Sequence, residues 1–145
     1  MPPRKDLLFV STQLVLLALF LVEVAALRFP LPEWLRWLGA GLALIGGGWS
    51  LVAVLQLRTS LTPWPTPKAG GKLVTTGVYA YSRHPIYGGL LLGALGASLY
   101  LASGFHLVVT AALYALFYYK SGYEERLLRA VYPGYSDYAA GRRRF

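Results

Sequence analysis

Gly77-Val78-Tyr79-Ala80-Tyr81-Ser82-Arg83-His84-Pro85-Ile86-Tyr87-Gly88-Gly89 lies between two apolar segments of membrane-spanning character. Two tyrosines, an arginine, a histidine and a proline fall directly before a glycine-rich hydrophobic run. The bilayer core offers no water to such groups, so a polar cluster at its boundary is justified by solvent, by pairing or by a ligand. Glu124-Glu125 follows the next apolar segment. The two clusters meet at one membrane face, and that meeting place is the candidate active site.

The rest of the chain supports a membrane reading. Of its 145 residues 56% are hydrophobic and 14% charged, and the mean hydropathy is +0.48, too apolar for an ordinary soluble domain. The length allows one compact unit. With no cysteine, disulfides, thiolate nucleophiles and cysteine-ligated metal centres are excluded. His84 and His106 are the only histidines, so no metal site is expected. A net charge of +8 is compatible with nucleic acid, but in a membrane chain basic residues mark the cytoplasmic side, and no nucleic-acid partner is expected.

Four apolar spans are expected, at residues 7–27, 34–57, 86–102 and 105–119, with a cytoplasmic loop at 58–85 and a cytoplasmic tail at 120–145. The first span is long for a signal-peptide core and lacks a good cleavage site, so it reads as a retained helix. Trp34 and Trp37 are interfacial anchors of the second, and its glycines suit close helix approach. Pro63, Pro65 and Pro67 exclude a regular helix from the loop. Ser103-Gly104 reads as a tight turn. The last two spans cover only about 23–26 Å at 1.5 Å per residue, slightly under the bilayer core, so the helices run into polar flanks. The fourth continues through Glu124, Glu125, Leu127 and Leu128 and stops at Pro133-Gly134. The fold class is therefore all-α and integral membrane, one unit over 1–145.

Several chemistries suit the meeting place. Arg83-His84-Pro85 starts a helix, whose unpaired N–H groups favour a ligand carboxylate, and Pro85 fits the first turn. Glu124 and Glu125 can hold ribose hydroxyls or an ammonium group. Tyr79, Tyr81 and Tyr87 offer flat faces with hydroxyl tips. Each has a plainer reading. Arg83 and Lys120 serve as topology anchors, His84 as a helix cap, the glutamates with Arg126 and Arg129 as a solvated face, the tyrosines as an interfacial belt and the glycines as helix packing. Glu23 either snorkels, pairs with Arg28 or marks an intramembrane site, and His106 reads as structural.

The conjunction is more specific than its parts. Leu73-Val74-Thr75-Thr76-Gly77-Val78-Tyr79, then Arg83-His84-Pro85-Ile86-Tyr87, then Glu124-Glu125 with Leu128, then Tyr135 and Tyr138 resembles the isoprenylcysteine carboxyl methyltransferase family and the related phospholipid methyltransferases, over residues 58–145. The resemblance implies an S-adenosylmethionine pocket lined by Lys72, Leu73, Val74 and Tyr79 on one side and by His84, Pro85, Ile86 and Tyr87 on another. Glu124 matches the family's cofactor-contacting acid, with Glu125 beside it. Lys120 stands where the prenylcysteine enzymes carry a substrate-binding arginine, keeping the charge and losing the bidentate fork. Arg83 and Lys120 are the expected catalytic, acceptor-orienting pair.

The expected activity is methyl transfer from S-adenosylmethionine to a small amphiphilic or lipid-linked acceptor. A carboxylate acceptor needs no strong base. A phospholipid amine needs one, from His84 or a glutamate. A non-catalytic carrier or scaffold is the rival class, and membrane lipids are the expected partners.

Counting Lys and Arg orients the chain. The face with both termini, the loop and the acidic pair holds 12 of the 14, namely Arg4, Lys5, Arg58, Lys68, Lys72, Arg83, Lys120, Arg126, Arg129, Arg142, Arg143 and Arg144, against Arg28 and Arg36 opposite. This asymmetry predicts both termini and the site in the cytosol. A cytosol-active reporter fused after Phe145 should give signal, and one inserted in the turn at 28–33 should not. The reverse pattern would separate the site from cytosolic cofactor.

Overall fold

The computed structural model describes residues 2–145, and for Thr59 the backbone only. Among these residues the chain is helical, with five α-helices and no strand. They are α1 (Arg4–Leu19), α2 (Glu33–Leu57), α3 (Pro85–Tyr100), α4 (Gly104–Val131) and α5 (Tyr135–Ala139). Short 3₁₀ turns occupy Ala25–Leu27, Arg58–Ser60 and Gly77–Ala80.

The polarity of the fold is inverted relative to a soluble bundle. Leu8, Leu14, Leu44, Ile45, Leu51, Leu55 and Val108 point outward, while Asp6, Ser50, Ser98, His106, Lys120 and Glu125 are buried. A large contiguous apolar exterior marks a surface made for lipid or protein. Inside, polar side chains fasten the helices. Ser50 donates to the Ile86 carbonyl at 2.9 Å, and the Ser98 and Thr110 hydroxyls lie 3.1 Å apart between α3 and α4. By length and composition α2 is the one described helix suited to cross a membrane unaided, and α3 is a shorter apolar helix. Of the four spans expected from the sequence, the second is thus the one that coincides with such a helix among the described residues. At 16 residues each, α1 and α3 reach roughly 24 Å, short of the bilayer core.

α1 stops at Leu19 rather than running to residue 27. Its last turn tightens, with the Phe20, Leu21 and Val22 N–H groups bonding three residues back. The chain then pairs Glu23 with Arg28 and ties the Phe29 N–H to the Ala102 carbonyl at 3.0 Å. An ion pair within the connection satisfies Glu23 where a continued helix would carry it into the bilayer. His106 is structural, its Nδ1 2.8 Å from the Ser103 hydroxyl and its Nε2 3.3 Å from the Phe20 carbonyl. Ser103 caps α4 by accepting the His106 N–H.

α2 and α3 form the closest pair. A β-carbon at Gly46 would overlap the backbone nitrogen of Gly93, and one at Gly96 would overlap that of Ala43. Gly47, one residue on, faces open space. Gly46→Val should therefore push the helices apart and lower stability by about 1–3 kcal/mol, read as a lower melting temperature in detergent micelles. Gly47→Ala should be neutral or slightly stabilising, because it removes only backbone freedom. Equal behaviour of the two variants would count against the seam.

Candidate functional site

The polar loop is held from both sides. Gly77 adopts φ +62°, a left-handed conformation that suits glycine, and the Gln56 amide oxygen accepts the next N–H, from Val78, at 3.0 Å. The 3₁₀ turn then buries Val78 and Tyr79 against Ala53, with Leu57, Val74 and Ile86 packed around them. Tyr79 donates to the Ala53 carbonyl at 3.3 Å, and Tyr138 of α5 donates to the Tyr79 carbonyl at 2.7 Å. Burial raises the Tyr79 phenol well above its ordinary value, with Glu124 and Tyr138 adding to the effect.

After this turn the C-terminal segment runs alongside. The Arg83 and His84 N–H groups donate to the carbonyls of Arg143 and Arg144, each at 2.9 Å. The Ser82 hydroxyl donates to the Arg144 carbonyl at 3.1 Å. His84 occupies the cap position of α3, and Pro85 takes the first turn, as its fixed φ and missing N–H suit.

An aromatic slab follows. Tyr87 stacks on His84, with ring centres 5.5 Å apart and planes within 7°. Its other face meets Phe117 at 4.6 Å and 9°. The Tyr87 hydroxyl donates to Glu124 Oε2 at 3.0 Å. Lys120 Nζ lies 5.2 Å from the Tyr87 ring centre and donates to Gln13 Oε1 of α1 at 2.6 Å.

The two glutamates have different employments. Glu125 is almost fully buried and gathers cations. Its Oε1 meets His84 Nε2 at 3.2 Å, Arg83 Nε at 3.3 Å and Arg144 Nε at 3.8 Å, and its Oε2 meets Arg129 at 3.5 Å. Burial by itself would raise its pKa. The His84 hydrogen bond and the charges of His84, Arg83 and Arg144 outweigh that and hold it below the ordinary value. Glu124 keeps 23% of its side chain exposed, with His84 Nδ1 3.7 Å from Oε2. Desolvation raises its pKa, and His84, Tyr87 and Lys120 only partly offset this. Burial also lowers the Lys120 pKa, against the pull of Glu124 and Asp6. Glu125 thus meets four cationic side chains, whereas Glu124 has the Tyr87 hydroxyl and His84 beside it.

The residues singled out in the sequence, apart from Tyr81, Glu124 and Glu125, surround two adjoining cavities. One, of about 160 Å³, is lined by Tyr79, Arg83, His84, Pro85, Ile86, Tyr87 and Lys120 together with Gln13, Leu61 and Pro63. The other, of about 80 Å³, is lined by Lys72, Leu73, Val74, Tyr79 and Arg83 with Tyr135 and Tyr138. Tyr79 and Arg83 border both. Tyr81 is set apart at 73% exposure. A cleft of about 240 Å³ lies along the same helices, lined by Leu17 of α1 and Phe20 just past its end, Ala43 and Gly47 of α2, and Leu90 and Ala94 of α3. Gln13 and Leu17 are four residues apart, so they share one face of α1, and Phe20 caps its end.

Two polar residues of α1 were not singled out in the sequence. Gln13 holds Lys120, and fully buried Asp6 accepts the Thr66 N–H at 3.1 Å, fastening the proline-rich loop beside the site. Their local signal is slight, a polar residue in an apolar run.

Glu125 gives a pH-dependent prediction. Its pKa is depressed in the fold, so its stabilisation is fully present above the unfolded-chain value of about 4.3 and is lost as pH falls through the folded value. Glu125→Gln should cost about 3 kcal/mol near neutral pH. The difference in melting temperature from the parent chain should shrink below about pH 4. A deficit independent of pH would remove the carboxylate charge from the explanation.

A family model for phospholipid methyltransferases matches residues 34–134. The match takes in α2, the polar loop, α3 and α4 and leaves α1 and most of the C-terminal segment outside. It begins earlier than the likeness read from the sequence, which started at residue 58, and it falls on the phospholipid side of that group. No individual curated protein gives a significant match. The chain belongs to the phospholipid methyltransferase family, membrane-associated methyltransferases that act on lipid-type substrates.

Proposed function

We propose that the protein is an S-adenosylmethionine-dependent methyltransferase acting on a lipid-type acceptor at the cytosolic face of a membrane. The observation that carries this reading is the cavity wall where the Tyr87 ring lies beside the buried Lys120 side chain, with Glu124 hydrogen-bonded to the Tyr87 hydroxyl. One small space thus joins a flat aromatic wall and a cation, with an acid one hydrogen bond away.

The donor set fits that cofactor. Arg83 lines both cavities, and its guanidinium, anchored by Glu125, would bring a positive charge to an anionic part of the ligand. Glu124 would hold ribose hydroxyls or the ammonium group. Tyr79 and Tyr87, with Pro85 and Ile86, would enclose the adenosyl portion, and Lys72, Leu73 and Val74 would close the adjoining cavity. S-adenosylmethionine, held there, supplies an electrophilic methyl group for in-line displacement by an acceptor oxygen or nitrogen. The protein's own part is positioning and exclusion of water. The apolar cleft along α1, α2 and α3 supports an acceptor with a hydrocarbon portion. The basic-residue asymmetry supports four crossings with both termini in the cytosol.

Two acceptor chemistries differ in what they ask of Lys120. A carboxylate would be oriented by its ammonium. A phospholipid amine would need a base, and burial, which lowers the Lys120 pKa, raises the neutral fraction of this lysine that can take up a proton. The family description favours the amine, and the loss of the bidentate fork at Lys120 weighs against the carboxylate although the charge is kept.

Labelled-methyl transfer from S-adenosylmethionine into a total lipid extract tests the proposal, and product analysis separates ester from N-methyl. Glu124→Ala should weaken S-adenosylmethionine binding by roughly 10–150-fold, the loss of one charge-assisted hydrogen bond, with the fold retained. Unchanged affinity in a folded variant would take Glu124 out of the cofactor site. Lys120→Met should reduce transfer at least about 10-fold at unchanged cofactor affinity if the acceptor is a carboxylate. Absence of cofactor binding and of transfer would leave the carrier or scaffold reading.

A further inference from the structure

Lys120 is 2% exposed. An ammonium group has three N–H donors, and the hydrogen bonds described for it use one, to Gln13 Oε1 at 2.6 Å. Both side chains line the same cavity. A buried ammonium with few partners tends to give up its proton, and a hydrogen bond accepted from the charged form opposes that. Gln13 therefore does more than fasten α1 to α4. It is the nearest neutral group acting on the proton of the one lysine in the pocket. The groups around Lys120 come from each packed element. α1 gives Asp6 and Gln13, α3 gives the Tyr87 ring with Arg83 and His84 just before it, the loop gives Tyr79, and α4 gives Glu124 one turn on. The portion of α2 lining this cavity, Val54 and Leu57, is apolar.

We propose that Gln13, on the helix outside the family-matched segment, is a positioning residue of the reaction: it fixes the Lys120 ammonium in the pocket, sets how firmly that group holds its proton, and so selects the acceptor by the charge of its reacting group. This inference rests on the methyltransferase reading of the pocket. It assigns α1 a part in acceptor choice that the matched core does not contain.

The sign of the charge at position 13 separates this role from a mere fastening. The full chain in lipid nanodiscs would be assayed for labelled-methyl transfer from S-adenosylmethionine into a total lipid extract, across roughly pH 6 to pH 10, a range that brackets the expected lysine titration. The limb of the pH–rate profile that belongs to Lys120 is the one missing in Lys120→Met. In Gln13→Leu that limb should move down by about one unit, because the charged form loses its acceptor. In nearly isosteric Gln13→Glu it should move up by about one unit. The acceptor KM should rise at least about 10-fold in Gln13→Leu while the S-adenosylmethionine Kd stays within about 2-fold. Gln13→Asn, which keeps the amide, should lie between parent and Gln13→Leu.

Shifts of both charged and apolar variants in one direction, or lowered melting temperatures with an unmoved limb, would overturn the inference. A parent chain that transfers no methyl group would instead defeat the methyltransferase reading. The ¹⁵N titration of the Lys120 Nζ resonance, assigned by its loss in Lys120→Met, then decides the role of Gln13 by the same opposed shifts. It also decides it where Lys120→Met is inactive, and an unmoved titration overturns the inference.

Discussion

The site depends on one carboxylate. Glu125 is 3% exposed and is met by Arg83 and His84 ahead of α3, by Arg129 one turn along α4, and by Arg144 of the C-terminal segment. Removing a carboxylate from water is costly, and the cost is offset only where partners and hydrogen bonds are well placed. Here the partners come from three separate stretches of chain, so satisfying Glu125 brings those stretches together. Everything toward the pocket follows from it. The carboxylate holds the His84 ring, Tyr87 stacks on that ring, and the Tyr87 hydroxyl reaches Glu124.

The bundle supporting this hub relies on close backbone approach more than on large apolar side chains. α2 and α3 touch through glycine, and their polar side chains face inward. In a lipid surrounding there is little hydrophobic gain in burying one more leucine, so association comes from close packing and interhelical hydrogen bonds. This makes the Gly46 contact sensitive to a single added side chain while the apolar exterior tolerates variety.

Much of this was legible in the sequence, and the omissions share a cause. The helical class, the Ser103-Gly104 turn, the continuation of α4 past Glu124, and the meeting of Arg83-His84-Pro85 with the glutamates all follow from local patterns of hydropathy, proline and charge. The exit of α1 at Leu19 was missed because residues 20–22 continue the apolar run without a breaker. The roles of Gln13 and Asp6 were missed because they arise from contacts 107 and 60 residues away, which leave no local periodicity. The division of labour between Glu124 and Glu125 was missed for a related reason. Adjacent residues on a helix point about 100° apart, and only the packing decides which one meets the cations.

The pairing of Ser82–His84 with Arg143 and Arg144 has a consequence for how the protein is made. These partners lie some 62 residues apart, and such distant contacts form late because a long loop must close first. While α2 and α3 can associate as soon as both have left the ribosome, a nascent chain that has not yet delivered residues 143 and 144 leaves the backbone donors of Arg83 and His84 without those partners. The polar loop should therefore reach its final form in one step, once residues 143 and 144 have been delivered, and until then the chain would be a helical bundle with that loop unfastened.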